Sequence, residues 1–500
     1  MQRGLEIVLL FANIIAISNG SPEHCKPKVA IIGGGIGGAS AGHFISELFE
    51  NVVDIDLFEA NKIGGRLATV MLQNNQYEAG GSIIHNRNQL MKDFSELLGL
   101  QRRPSSTADL YGVWNGDEFI FQESNYEVMT LAKLIYRYGM DPVHLYRYVN
   151  SVLDDFDKIY ELQNDRRGFV NVTELLAAMN PNFPKMLQIS MKDQLKNLGY
   201  SDRFIDELVK ATLVVNYGQE TDVQSFVGCV SVAGAGSALW SVKGGNRKVA
   251  EGLINKHQHI RTRPYIVEKI TYNSEYDWST QMLSSPNYPY TLTYRKKGEP
   301  NVQIDKYDIV IIATPLTSDQ GMSIAFANFP NNEDFIFPGS YQTTYATFIE
   351  GQLNTTYFGV DESIQGILSC NPEKTIISSV GKLSSVEGED SNVWKIFTRE
   401  SLSSEMITKM FSKVNDKSSP IEYEWKAYPK YSINDKPGNF KLHKALYHEN
   451  AIEWAASAME MSAIGGRNVA ILAYNDYTDR CTRLKGFRST QRKLNSKIEL

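Results

Sequence analysis

Lys28-Val29-Ala30-Ile31-Ile32-Gly33-Gly34-Gly35-Ile36-Gly37-Gly38 is the stretch of this 500-residue chain whose reading decides its fold. After Lys28 the residues are apolar and mostly β-branched, as suits a buried strand. The glycines follow at once, and 39–49 then has helical composition. Each of three glycines has a reason in this frame: Gly33 permits a tight turn, Gly35 lets the backbone approach a pyrophosphate, and Gly38 lets helix and strand pack closely. A helix after such a turn points its first N–H groups at a phosphate. A second β-rich run at 52–58 ends on Glu59, twenty-one residues after Gly38, where an acid is expected to accept hydrogen bonds from a ribose. The stretch therefore reads as a βαβ dinucleotide-binding unit, and the chain as α/β.

Five hundred residues exceed what one core usually supports, so at least two domains are expected. The hydrophobic content of 42% is that of a globular protein, and a formal net charge of -6 leaves no broad basic surface, so nucleic-acid partners are set aside. Arg3, an apolar run at 7–17 and small residues at Ser18, Gly20 and Ser21 form a signal-peptide pattern over 1–20, too short to span a bilayer. No later segment reaches spanning length. Sequons at Asn171 and Asn354 fit a glycosylated protein of the secretory pathway. Cys25, Cys229, Cys370 and Cys481 are far apart and lack CxxC spacing, so no metal site is expected and disulfide pairing stays open.

Further along, 110–239 reads as an inserted helical region, with helices at 143–162 and 204–215, and strands are expected at 265–272, 290–295 and 308–313. A polar loop falls at 384–392. A final helix at 452–463 precedes an apolar strand at 469–473.

Two more glycine clusters follow Glu59: Ile63-Gly64-Gly65-Arg66-Leu67-Ala68-Thr69 and Glu78-Ala79-Gly80-Gly81-Ser82-Ile83-Ile84-His85. With the opening fingerprint they resemble the flavin amine oxidase superfamily. That resemblance implies FAD as cofactor, with the loop of Gly64, Gly65 and Arg66 around the diphosphate and Gly80, Gly81 and Ser82 against the flavin ring. It also implies Val267 in a strand whose backbone holds adenine, a second strand signature at 308–315, and a closing flavin helix at 450–458 that carries Glu453. The fold implied is a discontinuous Rossmann-type FAD domain (27–105, 239–330 and 436–480) with an inserted α+β substrate domain (106–238 and 331–435) and a polar tail at 481–500.

Within that superfamily the chain resembles the prenylcysteine oxidase family, also called prenylcysteine lyases. The likeness is carried by Val214-Val215-Asn216-Tyr217-Gly218-Gln219, by 228–235, by Leu239-Trp240-Ser241-Val242-Lys243-Gly244-Gly245-Asn246 and by 452–461. It implies oxidation of S-prenyl-L-cysteine with O2 and water to free cysteine, a prenyl aldehyde and hydrogen peroxide, in the breakdown of prenylated proteins. It also implies a lysosomal location, with secretion as the alternative, and leaves room for peripheral association with lipid. The flavin does the hard chemistry, so the protein must hold the carbon beside sulfur against it and control water.

His85 is a candidate for orienting water or the amino-acid end of the substrate, although the same fragment also reads as a structural loop. Trp240 and Lys243 are candidates for flanking the flavin or taking the carboxylate; packing of Trp240 and solvation of Lys243 are the alternatives. The aromatic residues Tyr111, Trp114, Tyr136 and Tyr146 suit either an isoprenoid wall or plain core. Two other functions fit the same fold. One is a secretory-pathway amine or amino-acid oxidase; the other is a non-catalytic binding protein that retains FAD.

Overall fold

The computed structural model describes residues 26–104, 110–235, 239–278, 288–321, 323–330, 335–360, 364–415 and 420–498, with side chains as far as 480. The leader at 1–20, Cys25 and the side chain of Cys481 lie outside the described residues. The central sheet has six strands in the order Lys441–His443, Leu446–His448, Ile309–Ile312, Lys28–Ile32 (β1), Asp54–Phe58 (β2) and Ile260–Arg263. All neighbours are parallel except the edge pair Lys441–His443 and Leu446–His448. Ile31 pairs with Leu57 on one side and Ile311 on the other, and all three are fully buried, as expected of strands covered on both faces.

Helix α1 (Ile36–Leu48) connects β1 to β2, and a helix from Met459 to Ile498 packs along it. Small residues let the two approach: a Cβ on Gly466 would lie 2.4 Å from the Gly37 carbonyl oxygen. The strand expected at 469–473 is thus part of a helix, and so is the tail expected from 481, as far as Ile498. Val469 and Ala470 are fully buried, and a short apolar run enclosed on every side has no periodicity to separate strand from helix. The helix expected from 452 is instead a 3-10 turn, Glu449–Trp454.

A four-stranded sheet, in the order Val302–Tyr307, Tyr290–Arg295, Ile266–Tyr272 and Ala325–Ala327, flanks the nucleotide-binding half, with Val267 buried in it. The inserted region is not helical from its start. Its hairpin, Leu110–Trp114 and Phe119–Gln122, joins an eight-stranded sheet through Ile364–Ser369, and the strands Tyr341–Leu353, Ile377–Leu383, Val393–Thr398 and Ile421–Pro429 complete most of that sheet. Helices Asp141–Phe156, Lys210–Tyr217 and Ser225–Ala233 form the layer over it.

Asn171 and Asn354 both cap helices, accepting from Glu174 N and Tyr357 N. Their Nδ2 atoms, where a glycan would attach, donate to Glu174 Oε1 at 2.9 Å and Lys409 O at 2.8 Å. Cys229 and Cys370 are buried free thiols. Among the described residues no helix is long and apolar enough to cross a membrane.

Candidate active site

The first glycine turn is built as its spacing requires. Gly33 has φ +109°, and a Cβ there would lie 2.2 Å from the Ala313 carbonyl oxygen; a Cβ on Gly38 would lie 2.0 Å from the Gly33 oxygen. Gly35 differs, because among the described residues no atom lies within 4 Å of its Cβ position. That open space is the end of a cavity of about 150 Å³ lined by Gly35, Ile36, Gly37, Gly64 and Arg66, so the uncapped N–H groups that start α1 face it. Glu59, just beyond β2, accepts from Gly34 N at 2.9 Å and Asn61 N at 2.8 Å. The second glycine loop lies against the first: Gly64 N donates to Gly34 O at 2.8 Å.

Arg66 donates to the Ala427 oxygen at 2.8 Å and pairs with Glu453, whose carboxylate also accepts from Tyr341 Oη at 2.8 Å and Asn450 Nδ2 at 2.9 Å. Glu453 therefore acts by clamping Arg66 at the cavity. Beside it Glu449 is fully enclosed, and burial, with Glu453 adding, drives its carboxyl well above the usual range. Among the described residues Glu449 Oε1 and Asn450 Oδ1 are buried without a hydrogen-bond partner, on residues that line the same cavity. An uncapped helix start, space where a side chain is missing, an arginine and orphaned polar atoms together fit a bound dinucleotide.

Gly80 and Gly81 are shared between this cavity and a larger one of about 570 Å³. A Cβ on Gly80 would lie 1.8 Å from the Arg66 oxygen, so this glycine is required by the crossing of two loops. Ser82 and His85 line the larger cavity. The imidazole accepts Arg87 N at 3.2 Å through Nδ1, which places the proton on Nε2, and burial lowers its pKa.

Strand alternation separates His85 from the other two candidates. Ile84–His85 pairs with Leu239–Trp240, with His85 opposite Leu239 on the cavity side and Ile84 opposite Trp240 on the other face. Trp240 stacks under the Arg102 guanidinium at 4.5 Å, and Lys243 is not among the cavity residues. Neither lines the cavity. The segment 239–246 works through Asn246, which is fully buried: its side chain accepts Val242 N at 2.8 Å and donates to Gly81 O at 3.0 Å, while its N–H donates to Glu78 Oε1 at 2.7 Å.

Sequence reasoning missed Glu78, Arg103, Lys395 and Glu460, all on the larger cavity. Glu460 accepts Leu90 N, Met91 N and Tyr160 Oη, and burial lifts its carboxyl to about 7. Burial lowers Lys395 to about 8. Burial also raises Glu78, against the pull of its bond to Asn246 and of nearby Lys395. A lone lysine between Trp394 and Ile396 in a strand was the one sequence signal available. The aromatic residues divide: Tyr111 lines the cavity, Trp114 is core, and Tyr136 and Tyr146 are exposed. Val149, Val152, Leu153 and Phe156 supply the apolar wall. Elsewhere His43, Glu47 and His257 bring three ligand-type atoms within 4.8 Å, but the two imidazoles satisfy each other at 2.9 Å and Lys256 and Arg467 lie near His43.

The prenylcysteine lyase family model matches residues 121–485, and a model for NAD(P)-binding Rossmann-like domains matches 31–97. Prenylcysteine oxidase 1 of Pongo abelii and that of Homo sapiens are each 38% identical over 490 residues, 93% of this chain and 94% of theirs. A putrescine oxidase variant of solved structure shares the fold at TM-score 0.55 and 13% identity, covering 90% of this chain and 99% of its own.

Proposed function

This chain belongs to the prenylcysteine lyase family, and from that premise we propose that it is an FAD-dependent oxidase that cleaves S-prenyl-L-cysteine, farnesyl or geranylgeranyl, to cysteine, a prenyl aldehyde and hydrogen peroxide. The observation that carries the reading is the meeting of the two cavities at Gly80 and Gly81, which puts a dinucleotide cradle beside a chamber with an apolar wall and a charged one. FAD held in the cradle would supply the two-electron acceptor, with O2 as the terminal oxidant.

The chain's own residues bind, orient and dry the site. The turn at Gly33, Gly35 and Gly38, the start of α1 and the Arg66–Glu453 pair hold a diphosphate. Val149, Val152, Leu153 and Phe156 exclude water around the isoprenoid, and burial of those carbons drives its uptake at roughly 25 cal/mol per Å². His85, whose Nδ1 accepts Arg87 N so that the neutral ring carries its proton on Nε2, orients the water that adds at the carbon beside sulfur.

A lysosomal site reached through the secretory pathway, or export, belongs to the same proposal; the leader pattern supports it. Peripheral association with lipid is supported by the helix Glu127–Tyr138, whose Val128, Met129, Leu131 and Ile135 are exposed beside Lys133. Incubating the purified protein with S-farnesylcysteine in air tests the activity. One equivalent each of peroxide, cysteine and farnesal is expected, and peroxide without free cysteine would overturn thioether cleavage.

A further inference from the structure

Lys395 stands in the strand Val393–Thr398 and is 8% exposed, yet of its three donors one makes a hydrogen bond, toward the Glu78 carbonyl oxygen at 3.3 Å, and its Nζ otherwise faces the Phe397 ring at 4.8 Å. A buried ammonium so poorly paired is costly, and a position serving packing alone would carry an apolar residue. Arg103 faces the same cavity from another segment. Its backbone is fixed by a bond from Arg103 N to the Ser241 oxygen at 2.8 Å, and among the described residues its guanidinium has no hydrogen-bond or ion-pair partner. Of the other charges on this cavity, Arg87 pairs with Asp157 at 2.7 Å and Glu460 receives two backbone N–H groups and a tyrosine hydroxyl, while Lys382 and Asp390 line it as well, both less buried than Lys395.

Two cations from separate segments thus converge on a cavity whose further wall is apolar, while Glu78, joined to Asn246, stands by as a counter-charge. An amphiphile with an anionic head and a hydrocarbon tail matches that division. We propose that Arg103 and Lys395 seat the α-carboxylate of the S-prenylcysteine substrate, an inference that rests on the substrate reading above. A forked guanidinium with an ammonium beside it suits a carboxylate, which accepts from both. Seated there, the amino-acid end lies beside Glu78, two residues before Gly80, which brings the thioether within reach of Gly80 and Gly81.

The test compares S-farnesylcysteine with S-farnesylcysteamine, which keeps the thioether, tail and ammonium and lacks the carboxylate. In the wild-type holoenzyme the acid is expected to win by about 10- to 100-fold in kcat/KM, the range of one or two charge-assisted bonds. In Arg103→Met and Lys395→Met that preference should fall several-fold through a raised KM, with kcat and flavin content close to wild type. Arg103→Lys should recover part of it. A wild type that turns over both compounds equally would overturn the proposal, as would variants that keep the full preference; in either case thioether cleavage would stand. If no thioether is turned over, the oxidase reading fails, and dissociation constants for the same two compounds, read from protein fluorescence quenching, still decide whether Arg103 and Lys395 seat a carboxylate.

Discussion

The glycine cradle and the chamber beside it bind in opposite ways. In the cradle the backbone does the work: N–H groups, carbonyls and the space left by missing side chains make the surface, and Gly33, Gly35 and Gly38 fall within six residues. In the chamber the side chains do it, and His85, Arg103, Val149 and Lys395 come from four separate segments. A change in the first should therefore act all or none, whereas a change in the second should alter what binds.

The largest effect expected divides the cradle itself. Gly35→Val should fold, since no atom lies within 4 Å of the new Cβ, but should purify colourless because the valine fills the diphosphate space. Gly38→Val should fail earlier, in folding, because its Cβ meets the Gly33 carbonyl. Absorbance near the flavin maximum together with a thermal melt separates the two outcomes; a yellow Gly35→Val protein would break the account of the cradle.

In the chamber, His85→Ala should keep its flavin and lose about 100-fold in the rate of turnover, the low end of what a positioned acid or base contributes. Unchanged steady-state kinetics would return His85 to a structural role.

Glu453→Ala belongs to the cradle but acts on stability. It leaves Arg66 without its partner, and breaking a buried ion pair in this way typically costs about 3 kcal/mol, visible in urea unfolding of the holoprotein. A loss below about 1 kcal/mol would mean that Arg66 is held by the Ala427 carbonyl alone.

An effect at most as large concerns Lys395 and runs opposite in sign. Its folded pKa of about 8 lies below the ordinary 10.5, so below pH 8 the buried ammonium costs stability, and between 8 and 10.5 the unfolded chain holds more protons and stability rises with pH. Lys395→Met should therefore be the more stable protein at pH 7, by up to about 3 kcal/mol, with the gap closing toward pH 10.5. A gap that does not change with pH would show that Lys395 titrates normally.

The same contrast explains how much could be read from the residues. The cradle was legible because a backbone site leaves its mark as glycines at fixed spacing, and β1, α1 and β2 fall where that spacing puts them. His85 was reachable because it follows the second glycine pair. Arg103 and Lys395 were not: 292 positions separate them in the sequence, and each alone looks like any other cation. The segment 239–246 identified the family, yet Trp240 and Lys243 lie off the cavity, and it is Asn246 that ties Val242 to Gly81 and Glu78. At the C-terminus the five apolar residues from Val469 could not announce that they belong to a helix enclosed on all sides.

The central claim, a flavin cradle that serves a thioether chamber, is tested most directly by anaerobic mixing of the purified yellow protein with one equivalent of S-farnesylcysteine. The account predicts bleaching of the flavin band, with stoichiometric cysteine and farnesal released before oxygen is admitted. Bleaching by a primary amine such as putrescine, with the thioether inert, would contradict it.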